Sequence, residues 1–117
     1  MSEETRKQTE ATLTHHLQSL GGGLLEAVLS DYVEDSVIFT ANGIVKGLAE
    51  IRAFFDASIK STPPDLLKAF TMIRQDVEGE TAYILWKAEP FVPLGTDTFV
   101  VRDGKIILQT FTAFSTS

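Results

Sequence analysis

Between Glu3 and Leu20 apolar residues return at Leu13, Leu17 and Leu20, a helical spacing, and Gly21-Gly22-Gly23 then removes helix propensity. This predicts a first helix over 3–20 with a glycine stop. Leu25, Val28 and Leu29 fall on one helical face and predict a shorter second helix over 24–32. Val37-Ile38-Phe39 is a β-branched and aromatic run, bounded by Glu34-Asp35-Ser36 and by the hairpin signal Asn42-Gly43. It predicts a strand with a brief return strand, Ile44-Val45-Lys46. After Gly47, the residues Leu48, Ile51, Phe55 and Ile59 trace a third helix, which Pro63-Pro64 forbids from continuing. Beyond the prolines the period changes. Phe70 to Ile73, Ala82 to Lys87, Thr98 to Arg102 and Ile106 to Phe114 all read as extended. Glu78-Gly79-Glu80 and Arg102-Asp103-Gly104-Lys105 supply turns, and Asp103-Gly104 suits a tight hairpin that requires positive φ.

Three helices with one small hairpin inserted, followed by a four-strand meander, make an α+β fold with helices packed on one face of a sheet. A sheet that wraps around helices leaves a concave interior. The 117 residues suit one hydrophobic core, hence one domain over 1–117 with no internal boundary. Hydrophobic residues at 44% and charged residues at 22% describe a folded globule rather than a disordered chain. A formal net charge of -6 opposes attraction to phosphate backbones, so nucleic acid is not an expected partner. The absence of cysteine excludes disulfides, thiolate nucleophiles and thiolate metal sites. The polar start, Met1 to Lys7, is not followed by the apolar run of a signal peptide, and no stretch approaches the roughly 20 apolar residues of a membrane span. A cytoplasmic location without membrane contact is the expectation.

The segments Tyr32-Val33-Glu34-Asp35-Ser36-Val37-Ile38-Phe39, Gly47-Leu48-Ala49-Glu50-Ile51-Arg52-Ala53-Phe54-Phe55 and Thr96-Asp97-Thr98-Phe99-Val100-Val101-Arg102-Asp103-Gly104-Lys105-Ile106 carry a resemblance. In this order they resemble the nuclear transport factor 2-like, ketosteroid isomerase-like superfamily and its SnoaL-like families, over nearly the whole chain to Phe114. The resemblance implies a cone: a curved, mixed but mainly antiparallel sheet wrapped around three N-terminal helices. It also implies an apolar pocket and a homodimer formed through the outer face of the sheet. The superfamily hosts isomerases, cyclases, epoxide hydrolases, dehydratases and non-catalytic modules, so it implies a fold more firmly than a reaction. Its isomerases place a Tyr on the first helix, an Asp base on the first strand and a protonated Asp deep in the sheet. The resemblance lays His16, Thr40 and Asp97 on those three positions. A threonine hydroxyl cannot abstract a proton beside a carbonyl near neutral pH, so the steroid isomerase reaction is not expected.

Several residues stand out on their own chemistry. His16 lies three residues after Leu13 and four before Leu20, on the apolar face of the first helix, whereas His15 is rotated toward its flank. A histidine there is either an acid-base or ligand-binding group or a core side chain bonded to backbone. Neither histidine has a metal partner at usable spacing. If Asp103-Gly104 is a two-residue hairpin loop, Asp97 faces Thr110, Phe99 faces Leu108 and Val101 faces Ile106. Asp97 then shares a face with Phe99, Leu108, Thr110, Thr112 and Phe114. Desolvation there would raise its pKa unless a cation answers it, and His16 is the natural answering group. The alternative is an edge Asp capping a loop after Gly95. In the strand over 82–89, Trp86 is expected to be buried as a pocket wall or a dimer seam, with Lys87 and Glu89 a solvated pair.

Phe39, Phe54, Phe55, Phe70, Met72, Phe99, Phe111 and Phe114 add an apolar inventory suited to a small-molecule pocket. Thr40, Phe55, Trp86, Phe99, Leu108, Thr110 and Phe114 are the expected pocket-lining residues, with Asp97 and His16 as the acid-base pair. Two readings follow. One is a cofactor-independent isomerase, cyclase or hydratase acting on a hydrophobic small molecule. The other is a non-catalytic binding or dimerisation module in which Asp97 and His16 satisfy each other.

Overall fold

The computed structural model describes residues 2–114. Helix α1 (Glu3–Gly21) is capped by Ser2, whose Oγ accepts from the Thr5 backbone N–H at 3.1 Å, with Glu3 and Glu4 at the positive end of the helix dipole. Its buried face carries Thr9, Thr12, Leu13, His16 and Ser19. The helix ends where Gly23 takes φ 69°, a left-handed conformation that closes the last turn at little steric cost. Helix α2 (Leu25–Leu29) follows, then strand β1 (Tyr32–Thr40) and its return β2 (Gly43–Lys46). Helix α3 (Leu48–Ser61) buries Ile51 and Phe55 against the sheet.

Pro63-Pro64 ends α3, but Pro64 also opens a fourth, short helix, α4 (Pro64–Ala69), because a proline N–H is dispensable in a first helical turn. None of the α4 residues is fully buried. Strands β3 (Thr71–Glu78), β4 (Thr81–Ala88), β5 (Val92–Arg102) and β6 (Lys105–Phe114) then form the predicted meander.

The sheet has six strands in the order β2-β1-β6-β5-β4-β3, antiparallel throughout except between β1 and β6. The two edges, β2 and β3, do not meet, so the sheet is curved but not closed. Register shifts interrupt the β1/β6, β3/β4, β4/β5 and β5/β6 ladders, and bulges of this kind bend strands and increase their twist. On the concave side Leu13, Val28, Ile38, Ile51, Phe55, Ile84 and Phe99 are buried between helices and sheet. The α+β class expected from the periodicity and the curved sheet around N-terminal helices implied by the resemblance are both found, with α4 added.

One bulge changes the interior. The Asp103-Gly104 turn does take positive φ at both residues, 53° and 76°, and Val101 faces Ile106. Ile107 then has no partner in the ladder, so Val100 faces Leu108, Phe99 faces Gln109 and Asp97 faces Phe111. The pairing of Asp97 with Thr110 and of Phe99 with Leu108 is therefore corrected by one residue. A one-residue slip exchanges the faces of a strand. Gln109, Phe111 and Ala113 turn inward, while Leu108, Thr110, Thr112 and Phe114 turn outward.

Candidate functional site

A cavity of about 280 Å³ lies between the helices and the concave side of the sheet. Apolar side chains dominate it: Leu17 and Leu20 from α1, Phe54, Phe55 and Ile59 from α3, Leu66 and Leu67 from α4, and Phe111 from β6. Phe70, Ile84, Trp86, Val92 and Ala113 complete the apolar wall. Its volume sits just below the roughly 300–1,000 Å³ common for small-molecule pockets, which fits a compact ligand.

Asp97 and His16 both line this cavity. They are not each other's partner. Trp86 Nε1 donates to Asp97 Oδ1 at 2.9 Å, and Gln109 Nε2 donates to Asp97 Oδ2 at 2.9 Å. Tyr32 OH donates in turn to Gln109 Oε1. The carboxylate is thus held by two neutral donors, and burial outweighs them to push its pKa up to about 6. No Lys or Arg is among the residues lining the cavity.

His16 is 1% exposed, and its Nδ1 is the one buried side-chain polar atom without a hydrogen-bond partner among the described residues. Its ring is enclosed edgewise by Tyr32, Phe55 and Phe99 at centroid distances of 5.8, 5.8 and 5.3 Å. Burial first, and the neighbouring His15 second, push its pKa down to about 4. At neutral pH the site therefore holds a carboxylate and an uncharged imidazole. His15, on the flank of α1, instead places Nδ1 at 2.9 and 2.8 Å from the two Asp31 oxygens, outside the cavity.

The remaining sequence-predicted lining residues divide. Phe55 and Trp86 line the cavity, while Phe99 lies behind His16. Thr40 sits at the β1–β2 turn, where its hydroxyl donates to the Gly43 carbonyl and accepts from Asn42 N–H, away from the cavity. Leu108, Thr110 and Phe114 are moved to the outer face by the bulge at Ile107, and Phe114 is 65% exposed. Lys87 and Glu89 form an exposed pair at 3.4 Å. Gln109 and Tyr32, which orient the carboxylate, are not singled out by sequence spacing. The three consecutive apolar residues Ile106-Ile107-Leu108 break the alternation and are the available sign of a bulge. Among the described residues no cluster of three or more His, Cys, Asp or Glu is placed to hold a metal ion.

Comparison with solved structures gives close agreement in shape. A nuclear transport factor 2-like (NTF2-like) protein of unknown function from Mesorhizobium loti superposes with a TM-score of 0.76 at 19% identity, covering 98% of this chain and 98% of that one. This chain has the NTF2-like fold. A SnoaL-like protein of unknown function from Burkholderia thailandensis shares the NTF2-like fold with a TM-score of 0.75 at 15% identity, covering 94% and 97%. So does a de novo designed protein with a curved β-sheet, at TM-score 0.74, 16% identity and coverage of 97% and 88%. No protein-family model matches the sequence, and a search of curated proteins finds no match. Among the described residues no helix is long and apolar enough to cross a membrane.

Within this NTF2-like fold, Gly95 is required by close approach. A Cβ there would lie 2.4 Å from Trp86 Cε2 and Cζ2, so the indole occupies the space a side chain would need. Gly95→Val should displace Trp86, break its hydrogen bond to Asp97 and destabilise the fold by roughly 1–3 kcal/mol. Trp86 is the only tryptophan, so its emission together with urea unfolding reports the change. An unaltered spectrum and midpoint would show that the ring is not seated on Gly95.

Proposed function

We propose that this chain binds a hydrophobic small molecule in the cavity and transfers a proton on it without a cofactor, as an isomerase, cyclase or hydratase does. The observation that carries this reading is the pairing, inside one apolar cavity, of two titratable groups whose environments drive their pKa values in opposite directions. Asp97 is the base: with a pKa near 6 it is mostly ionised at neutral pH yet basic enough to accept a substrate proton. Trp86 and Gln109 fix its orientation. Uncharged His16 is the hydrogen-bond donor to negative charge developing on the substrate, and the apolar aromatic surround strengthens that bond. In an isomerisation the proton would move from a substrate atom to Asp97 and back to a different substrate atom, leaving the protein unchanged. Solved structures provisionally named as a ketosteroid isomerase from Kribbella flavida and a polyketide cyclase from Sinorhizobium meliloti share the fold and are consistent with such chemistry.

Trp86 gives the direct test, because its indole lines the cavity and packs on Phe70 at a centroid distance of 5.3 Å. An apolar aromatic ligand small enough for the cavity should change its emission saturably. Ala113→Phe, which projects a ring into the same space, should abolish the response. Absence of any saturable response across a panel of such ligands would remove the pocket from consideration.

A second reading is favoured by one feature: each Asp97 oxygen already has a donor within the protein. In that reading the Tyr32–Gln109–Asp97–Trp86 network holds the sheet wall in place and the chain is a binding or dimerisation module. A homodimer would use the outer sheet face, where Leu94 stands opposite Phe114 and both are exposed.

A further inference from the structure

The cavity has an unbalanced charge. Asp97 and His16 are the only titratable side chains among its lining residues, and Tyr32 reaches Asp97 only through Gln109. The two donors to Asp97, an indole and a carboxamide, satisfy one lone pair on each oxygen but supply no positive charge. Uncharged His16 supplies none either, and offers an unpartnered Nδ1 as a hydrogen-bond acceptor or donor. Phe54, Phe55, Phe70, Trp86 and Phe111 present aromatic surface to the same space, the surface that favours cations through the quadrupole of the ring. The chain as a whole carries a formal charge of -6, which adds attraction for cations and repulsion for anions.

We infer that the ligand of this cavity is a compact hydrophobic amine, bound as its ammonium with the charged nitrogen at Asp97 and the apolar body against the aromatic wall. This rests on the reading of the cavity as a ligand site, and not on Asp97 acting as its base, and names its ligand class. A buried ion pair ordinarily gains little, because both partners must be stripped of water. Here the carboxylate is already desolvated by folding, so only the dehydration of the ammonium is new on binding. A carboxylate or phosphate of the same shape would meet the Asp97 charge directly, and a neutral alcohol would gain one hydrogen bond without charge compensation.

The test uses three ligands of one shape, 1-naphthylmethylamine, 1-naphthylmethanol and 1-naphthoate, titrated against the intact chain with Trp86 emission and calorimetry as readouts. The amine is expected to bind at least roughly tenfold more tightly than the alcohol, with the naphthoate weakest. Its affinity should fall as pH drops below about 6, where Asp97 takes up its proton, while that of the alcohol stays level. Asp97→Asn should bring amine and alcohol together. The pH series on the unaltered chain decides the matter even if that variant does not fold. Alcohol binding as tightly as amine, or amine affinity indifferent to pH between 5 and 7, overturns the inference while leaving the pocket standing. Failure of all three to bind overturns both.

Discussion

Asp97→Asn should lower turnover by roughly 10²–10⁴-fold, the usual contribution of a positioned general base, while leaving the fold intact. The fold survives because the hydrogen bonds can be rebuilt. The introduced asparagine keeps an oxygen to accept from Trp86 Nε1, but its amide would confront the Gln109 amide, donor against donor. Rotating the Gln109 carboxamide by half a turn removes the conflict. Its oxygen then accepts from the introduced amide, and its own amide donates to the Tyr32 hydroxyl, which is able to accept as well as donate. The substitution therefore deletes the base with little loss of packing. Tyr32→Phe is the companion variant. It removes only the outer member of the network, so it should lower turnover far less while leaving the base in place. Equal losses in the two variants would mean that Asp97 acts through the integrity of the network and not as a base. Unchanged turnover in Asp97→Asn would sink the assignment altogether.

Why the fold is legible in the sequence and the site only half so comes down to periodicity. Long periodic segments carry their identity redundantly: α1 has its cap at Ser2, its face at Leu13 and His16, and its stop at the glycines. The inward side of a strand rests on parity alone, and a single bulged residue reverses it. Asp97, Phe99 and Val101 lie on β5, which carries no inserted residue in its ladder with β6, and keep the face that alternation gives them. Beyond Ile107 every assignment on β6 inverts, so Thr110 leaves the cavity and Gln109 enters it. The partner of Asp97 differs from expectation for the same reason. Charge alone points to His16, but the donors are neutral groups on β4 and β6, brought into range by registers that single-residue spacing does not specify.

Stability against pH should separate the two buried groups, because their shifts have opposite signs. His16 falls from 6.5 to about 4 on folding, so between those values the unfolded chain binds more protons. Its contribution is complete above pH 6.5 and is lost as pH falls toward 4. Asp97 rises from 3.8 to about 6, so over nearly the same window the folded chain binds more protons. Its contribution is complete below 3.8 and is lost as pH rises through 6. In the unaltered protein the two slopes nearly cancel. Asp97→Asn leaves His16 unopposed, and relative to the unaltered chain this variant should lose about 3 kcal/mol between pH 7 and pH 4. His16→Leu leaves Asp97 unopposed and should gain a similar amount over the same interval, again relative to the unaltered chain. Taking differences removes the contribution of every group that neither substitution touches. Tyr32 stays protonated throughout, since burial raises it well above its ordinary value. Urea unfolding at half-unit pH steps measures both slopes. A difference that does not vary with pH in either variant would mean that the group concerned titrates as it does in water, and that the cavity is wet enough to remove the reason for proposing proton transfer there.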